Sequence, residues 1–131
     1  MKNTTSKTII STPDAPAAIG AYSQAVIANN TLYISGQIPL DPKTMLTVEG
    51  GFEAQARQVF ENLSAVLRAA NCEWANVAKI NVYMTDLSVF AKLNEIMGDY
   101  VAEPYPARAA VQVAALPRGV EIEIDAVAFV D

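Results

Sequence analysis

The stretch Glu103-Pro-Tyr-Pro-Ala-Arg108-Ala-Ala-Val-Gln-Val-Ala-Ala-Leu-Pro-Arg-Gly-Val-Glu121-Ile-Glu123-Ile-Asp125 sets one arginine at the mouth of an apolar strand and follows it with alternating carboxylates. Arginine presents a planar fork of donors that matches a carboxylate in two parallel hydrogen bonds, and it keeps its charge at any working pH. A carboxylate near it can handle a proton or a water. The pair therefore points to a small ligand that carries its own carboxylate.

Composition narrows the chemistry further. The chain has no histidine and one cysteine, Cys72. Ser-His-Asp and Cys-His nucleophile systems, HExxH sites and most catalytic zinc sites are thereby removed together. What remains is Arg, Lys, Asp, Glu, Tyr, backbone groups and water. A lone cysteine forms no internal disulfide, and its setting, Asn71-Cys72-Glu73-Trp74, reads as a structural thiol at a helix end. With 131 residues, 52% hydrophobic against 18% charged, the chain suits one domain (1–131) with a single core. A net charge of −5 repels phosphate backbones and anionic bilayers, so neither nucleic acid nor membrane is an expected partner. The stretch from Met1 to Ile10 lacks the apolar core of an export signal, and a cytoplasmic protein is expected.

The elements that must position these residues follow from periodicity. Lys7–Ser11 is a short β-prone start, followed by a loop with Pro13, Pro16 and Gly20. Gln24–Ala28 and Thr31–Gln37 are strands, and Asn29-Asn30 between them is a two-residue hairpin signal because Asn tolerates positive φ. Pro39–Gly51 has the turn chemistry of a surface loop. Ala56, Val59, Phe60, Leu63, Val66, Leu67 and Ala70 recur at helical spacing within Phe52–Ala70, and Asn71 suits the C-terminal end. Val77–Thr85 alternates as a half-buried strand. Asp86 caps a second helix whose stripe is Phe90, Leu93, Ile96, Met97, Tyr100 and Val101, ended by Pro104 and Pro106. The last strands are Ala107–Ala115 and Val120–Val130, joined by Leu116-Pro-Arg-Gly119 with the residue order of a type I turn. The order is β-β-β-α-β-α-β-β, an α+β domain. Two helices cover one face of a six-stranded sheet and leave the other in need of cover.

The final strand describes that other face. Ile122, Ile124, Ala126 and Ala128 form one side; Glu121, Glu123, Asp125, Val127 and Phe129 form the second, acidic at first and apolar at the end. A solvated face has no need of Val127 and Phe129, so part of it is expected to be buried between subunits.

At these residues the sequence is similar to a known family. Ala18-Ile-Gly20-Ala-Tyr22-Ser-Gln-Ala, Ile34-Ser-Gly36-Gln-Ile-Pro39, Val82-Tyr-Met-Thr-Asp86-Leu and Pro106-Ala-Arg108 with Val120-Glu-Ile-Glu123 resemble, in order and spacing, the RidA (YjgF) family of enamine/imine deaminases. The resemblance covers nearly the whole chain. It implies a chorismate-mutase-like α+β fold with one mixed six-stranded sheet, assembled as a homotrimer with sites in the clefts between subunits. It also implies hydrolysis of 2-aminoacrylate, 2-iminobutanoate and related imines to 2-oxo acids and ammonia, with no cofactor and no metal. Carried over to this sequence, Arg108 holds the substrate carboxylate and Glu123 positions or polarises water. Tyr22, Gly36 and Asn94 line the pocket, and the backbone of Ala110 supplies hydrogen-bonding groups. Ala21 stands where the family usually has proline, and Ala110 where many members have cysteine or threonine.

Other roles stand beside these. By residue type alone Arg108 is a surface or interface ion-pair residue, Glu121 and Asp125 belong to a solvated strand face, and Tyr22 is an amphipathic tyrosine at a strand entry. Gly36 permits a bend or bulge as well as close approach, and Asn94 is a solvated helix position. For the whole protein the alternatives are a non-catalytic trimer that binds 2-oxo acids and, against the charge balance, a ribonuclease or translation inhibitor.

A distance argument adds to the expectation of an oligomer. If the last two strands formed a simple hairpin, Glu123 would lie opposite Gln112 or Val113, roughly 13 to 16 Å from Arg108 at about 3.3 Å per residue. That is too far for one small ligand. Either the strands are not neighbours or the site combines two chains.

Overall fold

The computed structural model describes residues 6–131, so Met1–Thr5 of the N-terminal stretch lie outside the description. Six strands form one sheet: β1 (Thr8–Ile10), β2 (Ala25–Ala28), β3 (Thr31–Gln37), β4 (Val77–Met84), β5 (Ala107–Gln112) and β6 (Ile122–Phe129). Their spatial order is β1-β2-β3-β6-β4-β5. All pairs are antiparallel except β4 with β5, so the sheet is mixed. Helices α1 (Gly51–Ala69) and α2 (Phe90–Met97) pack together over one face.

Local chemistry explains most of the element ends. Asn29 and Asn30 both take positive φ, 50° and 60°, and close the β2–β3 hairpin as their residue type suggests. At the end of α1, Asn71 is left-handed at φ 59°. Its N–H donates to the Arg68 carbonyl at 3.0 Å and the Cys72 N–H donates to the Leu67 carbonyl at 2.8 Å, the paired bonds of a Schellman ending. Asp86 caps the 3₁₀ turn that leads into α2, accepting from the Ser88 N–H at 2.9 Å; the Ser88 side chain first, and then this N–H, draw its carboxyl below the ordinary range.

The core lies between the helices and the inner face of β3, β6 and β4. Phe60, Leu63, Ile80, Ile122 and Ile124 are fully buried there. Phe60 stacks on Tyr100 with ring centroids 5.1 Å apart, and Trp74 tilts against it at 5.8 Å. The Tyr100 hydroxyl donates to Glu61; burial, and then this bond, push its pKa up to about 12. Tyr100 and Val101, expected on the second helix, belong to turns after it, because α2 stops at Met97 and Gly98 follows.

Of the alternatives left open for the last two strands, the one in which they are not neighbours is found, since β4 lies between β5 and β6. One expectation changes. The Leu116–Gly119 turn is closed by the Gly119 N–H to the Leu116 carbonyl at 3.1 Å, but Arg118 sits at φ 59°, which is not type I. The Arg118 guanidinium donates to the Met45 carbonyl at 2.8 Å, and this long-range bond accompanies the left-handed backbone.

Among the described residues no helix lies on the outer face. In register across four strands run Ile9, Val26, Tyr33 and Val127. Ile9 is 52% exposed and Tyr33 49%. Phe129, at the same end of the sheet, is also about half exposed, so an apolar row lies open to solvent beside an acidic patch.

Candidate active site

The sheet supports two separate groups of candidate residues. On β5, Arg108 stands beside Ile80 of β4, a fully buried residue, so the arginine side chain leaves the sheet on the helix-covered face. There it meets α2. Its Nη1 donates to Asn94 Oδ1 at 2.7 Å and approaches Met97 Sδ at 3.6 Å, while the guanidinium carbon lies 4.9 Å from the Phe90 ring centroid. Asn94 thus orients the guanidinium, and the ring supports its charge from one side. Arg108 is solvent-exposed and forms no ion pair among the described residues. Most of its five donors are therefore free for a ligand. The cleft at this point, about 470 Å³, is lined by Met97, Val101, Tyr105 and Pro106 besides Asn94 and Arg108.

Ala110 lies two residues along the same edge strand, its methyl packed against the core. Because the Val113 N–H donates to the Met84 carbonyl, the alternation of a parallel ladder turns Val111 and Ala109 towards β4. The N–H and C=O of Arg108, Ala110 and Gln112 then face the free edge of β5. Backbone donors and acceptors thus stand beside the guanidinium.

The second group is on the outer face. Glu123 pairs with Tyr83 of β4 in register. On its other side the β3–β6 register shifts between Ile34 and Gln37, which places Gly36 at the irregularity. A Cβ on Gly36 would overlap the Glu123 carboxylate oxygen and come 2.9 Å from the carboxylate carbon, so the missing side chain is the space that Glu123 occupies. Among the described residues no side chain donates a hydrogen bond to this carboxylate. Burial, and secondarily the charge of Asp125, push Glu123 above the usual carboxylate range.

Asp125, read from sequence as a solvated acid, is instead held by two donors. Asn81 Nδ2 lies 2.7 Å from Oδ1 and the Tyr83 hydroxyl 3.1 Å from Oδ2. Burial and then Asp125 raise the Tyr83 pKa. Glu121 is half-buried and points back to α1, where buried Gln55 accepts from its backbone N–H at 2.8 Å and donates to its carboxylate at 3.3 Å. Its role is to fix the start of β6.

Tyr22 sits on the loop before β2, half exposed, its hydroxyl accepting from the Ile19 N–H at 3.3 Å. Buried Gln24 anchors this loop: its amide donates to the carbonyls of Thr12, Ala15 and Pro16 and accepts from the Thr12 N–H. Tyr22 shares a depression of about 490 Å³ on the outer face with Lys7, Tyr33 and Ser35.

The structure thus brings Arg108 together with Asn94, and Glu123 with Gly36. It does not bring the two groups together in one chain. Arg108, Ile80 and Ala126 lie in one line across three strands, and Glu123 is three residues further on and on the opposite face. The backbone separation is roughly 14 Å, from two strand spacings and three residues. Phe90 and Met97, read as core stripe, and Asn81 and Tyr83, within the strand read as half-buried, are contributors that residue type alone did not single out. Among the described residues no group of three or more His, Cys, Asp or Glu side chains is placed to hold a metal ion, and no helix is long and apolar enough to cross a membrane.

Comparison with known proteins gives this arrangement a context. The family model described as Endoribonuclease L-PSP matches residues 12–130. The chain is 51% identical over 120 residues to the 2-iminobutanoate/2-iminopropanoate deaminase of Rattus norvegicus, covering 92% of this chain and 88% of the relative. The crystal structure of RidA from an Antarctic Psychrobacter is 55% identical with a TM-score of 0.90, covering 94% of this chain and 99% of that one. Escherichia coli TdcF, solved with bound serine, is 38% identical with a TM-score of 0.88, over 95% of this chain and 99% of that one. Sequence and fold agree along nearly the full length, and the chain belongs to the RidA family.

Proposed function

We propose that this protein is an enamine/imine deaminase that hydrolyses 2-aminoacrylate- and 2-iminobutanoate-type intermediates to 2-oxo acids and ammonia. The observation that carries the reading is the oriented but ion-pair-free Arg108, held by Asn94 beside an open backbone edge. Relatives about half identical over most of their length and named for this reaction support it. The imine reaches the site with an electrophilic carbon. In its protonated form, C=NH₂⁺ plus H₂O gives C=O plus NH₄⁺, so the protein has only to fix the carboxylate, deliver water and assist proton movement. Arg108 and the Ala110 backbone do the first. Glu123, undonated and inclined to hold a proton, does the others.

Because Arg108 and Glu123 leave opposite faces of one sheet, the reading requires two copies of the chain. The open apolar row Ile9, Val26, Tyr33 and Val127 is the surface we assign to contact between copies, in a homotrimer whose sites combine Arg108, Asn94 and Ala110 of one subunit with Tyr22, Gly36 and Glu123 of its neighbour. A single buried thiol fits a reducing cytoplasm. The net charge of −5 and the acidic patch on the sheet speak against RNA as substrate, whatever the description of the family model.

The test generates imines in place with a serine/threonine dehydratase and follows pyruvate and 2-oxobutanoate release with and without the protein. The expected result is acceleration that falls about a thousandfold in kcat/KM in Arg108→Ala, near 4 kcal/mol of transition-state binding. No acceleration across several imines by the intact assembly would overturn the enzyme reading in favour of a trimer that only binds 2-oxo acids.

A further inference from the structure

The outer face of β4 and β6 holds a block of four side chains in register: Asn81 opposite Asp125 and Tyr83 opposite Glu123. The direct partner of the Tyr83 hydroxyl across the ladder is Glu123. The bond is made instead on the diagonal, to Asp125. Asn81 adds the second bond, so each oxygen of Asp125 has its own donor while the Glu123 carboxylate rests against the bare backbone of Gly36. Backbone pairing of β4 with β6 continues through this region regardless, so the strands do not depend on this acid to stay together.

We propose that Asp125, pinned by Asn81 and Tyr83, is a positioning residue for Glu123: it sets a fixed negative charge beside the undonated carboxylate so that Glu123 holds and releases a proton during turnover. The inference rests on the reading of Glu123 as the group that handles water. The other groups around Glu123 are consistent with it. From β3 come Gly36 and Ser35, the latter donating to the Ser23 carbonyl at 2.6 Å. On β4 the only cation is Lys79, two alternate positions away and opposite Val127. On β6, Glu121 is occupied by Gln55. In the assembled site the neighbouring subunit adds its Arg108, which the substrate carboxylate engages. Within one chain, then, the nearest charge acting on Glu123 is that of Asp125, which adds to burial in pushing the carboxyl up.

The sign is the same for either catalytic role. Whether turnover needs Glu123 protonated or ionised, removing the neighbouring negative charge makes the carboxyl release its proton at lower pH. The limb of the kcat/KM profile that coincides with the titration of Glu123 should therefore move to lower pH in Asp125→Asn. The expected shift is about 0.5 to 1.5 pH units for a unit charge about 7 Å away. Asp125→Ser, which removes the same charge with a smaller side chain, should repeat the shift. Asp125→Glu should return the limb close to its original position, which a purely structural role would not require. A carbon-detected NMR titration of the Glu123 carboxyl in wild type and Asp125→Asn reads the coupling without turnover. Absence of imine hydrolysis in the wild type would remove the functional reading and leave this arm standing. An unmoved Glu123 titration in both uncharged variants, with unfolding temperature and assembly retained, would overturn the proposal.

Discussion

The two faces of the sheet are built on different terms. The inner face is closed within one chain: Ile80, Val82, Ile122, Ile124, Ala126 and Ala128 pack beneath α1 and α2 at almost no exposure. The outer face places an apolar row next to an acid that no side-chain donor among the described residues satisfies and a glycine that makes room for it. Burying Phe60 needs nothing but the rest of the chain, whereas Tyr33 faces outward half exposed and Glu123 is only partly covered by its own chain. The candidate chemistry is divided in the same way, with Arg108 leaving through the helix-covered face and Glu123 through the open one. A fold of this kind keeps stability and the candidate chemistry apart: the helices and core stabilise the domain, and in the proposed reading it is assembly that completes the site.

That division can be broken most sharply by mixing two inactive variants. Arg108→Ala lacks the anchor and Glu123→Gln lacks the proton carrier, and each alone should show only background activity. Co-folded at equal amounts, random assemblies of the proposed trimer would pair an intact Arg108 with an intact Glu123 at about one quarter of sites, so activity should recover to about that fraction of wild type. Dehydratase-coupled assays of the refolded mixture against the two variants merely combined would detect it. Recovery near zero, with mixed trimers demonstrated by mass spectrometry, would mean that both residues act from one chain and that the faces are not partners.

Sequence made the local half of this comparison legible. Asn29-Asn30 announced a hairpin, the apolar spacing of α1 announced a buried helix face, and Asp86 announced a cap, because each depends on residues within a turn of one another. The alternation in β6 also separated Ile122 and Ile124 from Glu123 and Asp125 correctly. What sequence could not carry was pairing at a distance. Insertion of β6 between β3 and β4 is decided by the whole sheet, and β5, with Ala107, Ala109 and Ala110 around Arg108, has too little alternation to reveal which face the arginine takes. Gly36 was readable as a bend or as a close approach. It proves to sit at a register irregularity and to be approached by Glu123, from a segment 87 residues away in numbering.

That contact gives the next, smaller effect. In Gly36→Ala the new methyl takes the volume of the Glu123 carboxylate, which must rotate away from the ladder. Backbone pairing on β3 and the core beneath it are not touched, so the unfolding temperature should change by only a few degrees. kcat should fall by about tenfold to a hundredfold with KM little altered, the expected split when a proton carrier is misplaced and the carboxylate anchor is not. Steady-state kinetics on freshly generated imine would show it. A raised KM with unchanged kcat would instead place Gly36 on the substrate-binding side of the site.

The smallest effect concerns stability and follows from Glu123 being raised above the ordinary carboxylate range by burial and by Asp125. Well below pH 4.5 the carboxyl is protonated in both folded and unfolded chains, and Glu123→Gln should differ little from wild type in its pH dependence. As pH climbs past that value the unfolded chain loses the proton first, so the native state is progressively destabilised until Glu123 ionises in the folded state as well. Denaturant unfolding at fixed protein concentration should therefore show wild type losing stability relative to Glu123→Gln on going from pH 4 to pH 7, and the loss should shrink in the Asp125→Asn background. A difference that grows in the opposite direction would mean that assembly supplies Glu123 with a cationic partner strong enough to reverse the effect of burial. The neighbouring subunit's guanidinium would then hold Glu123 ionised, and the two faces would be joined by charge as well as by the shared ligand.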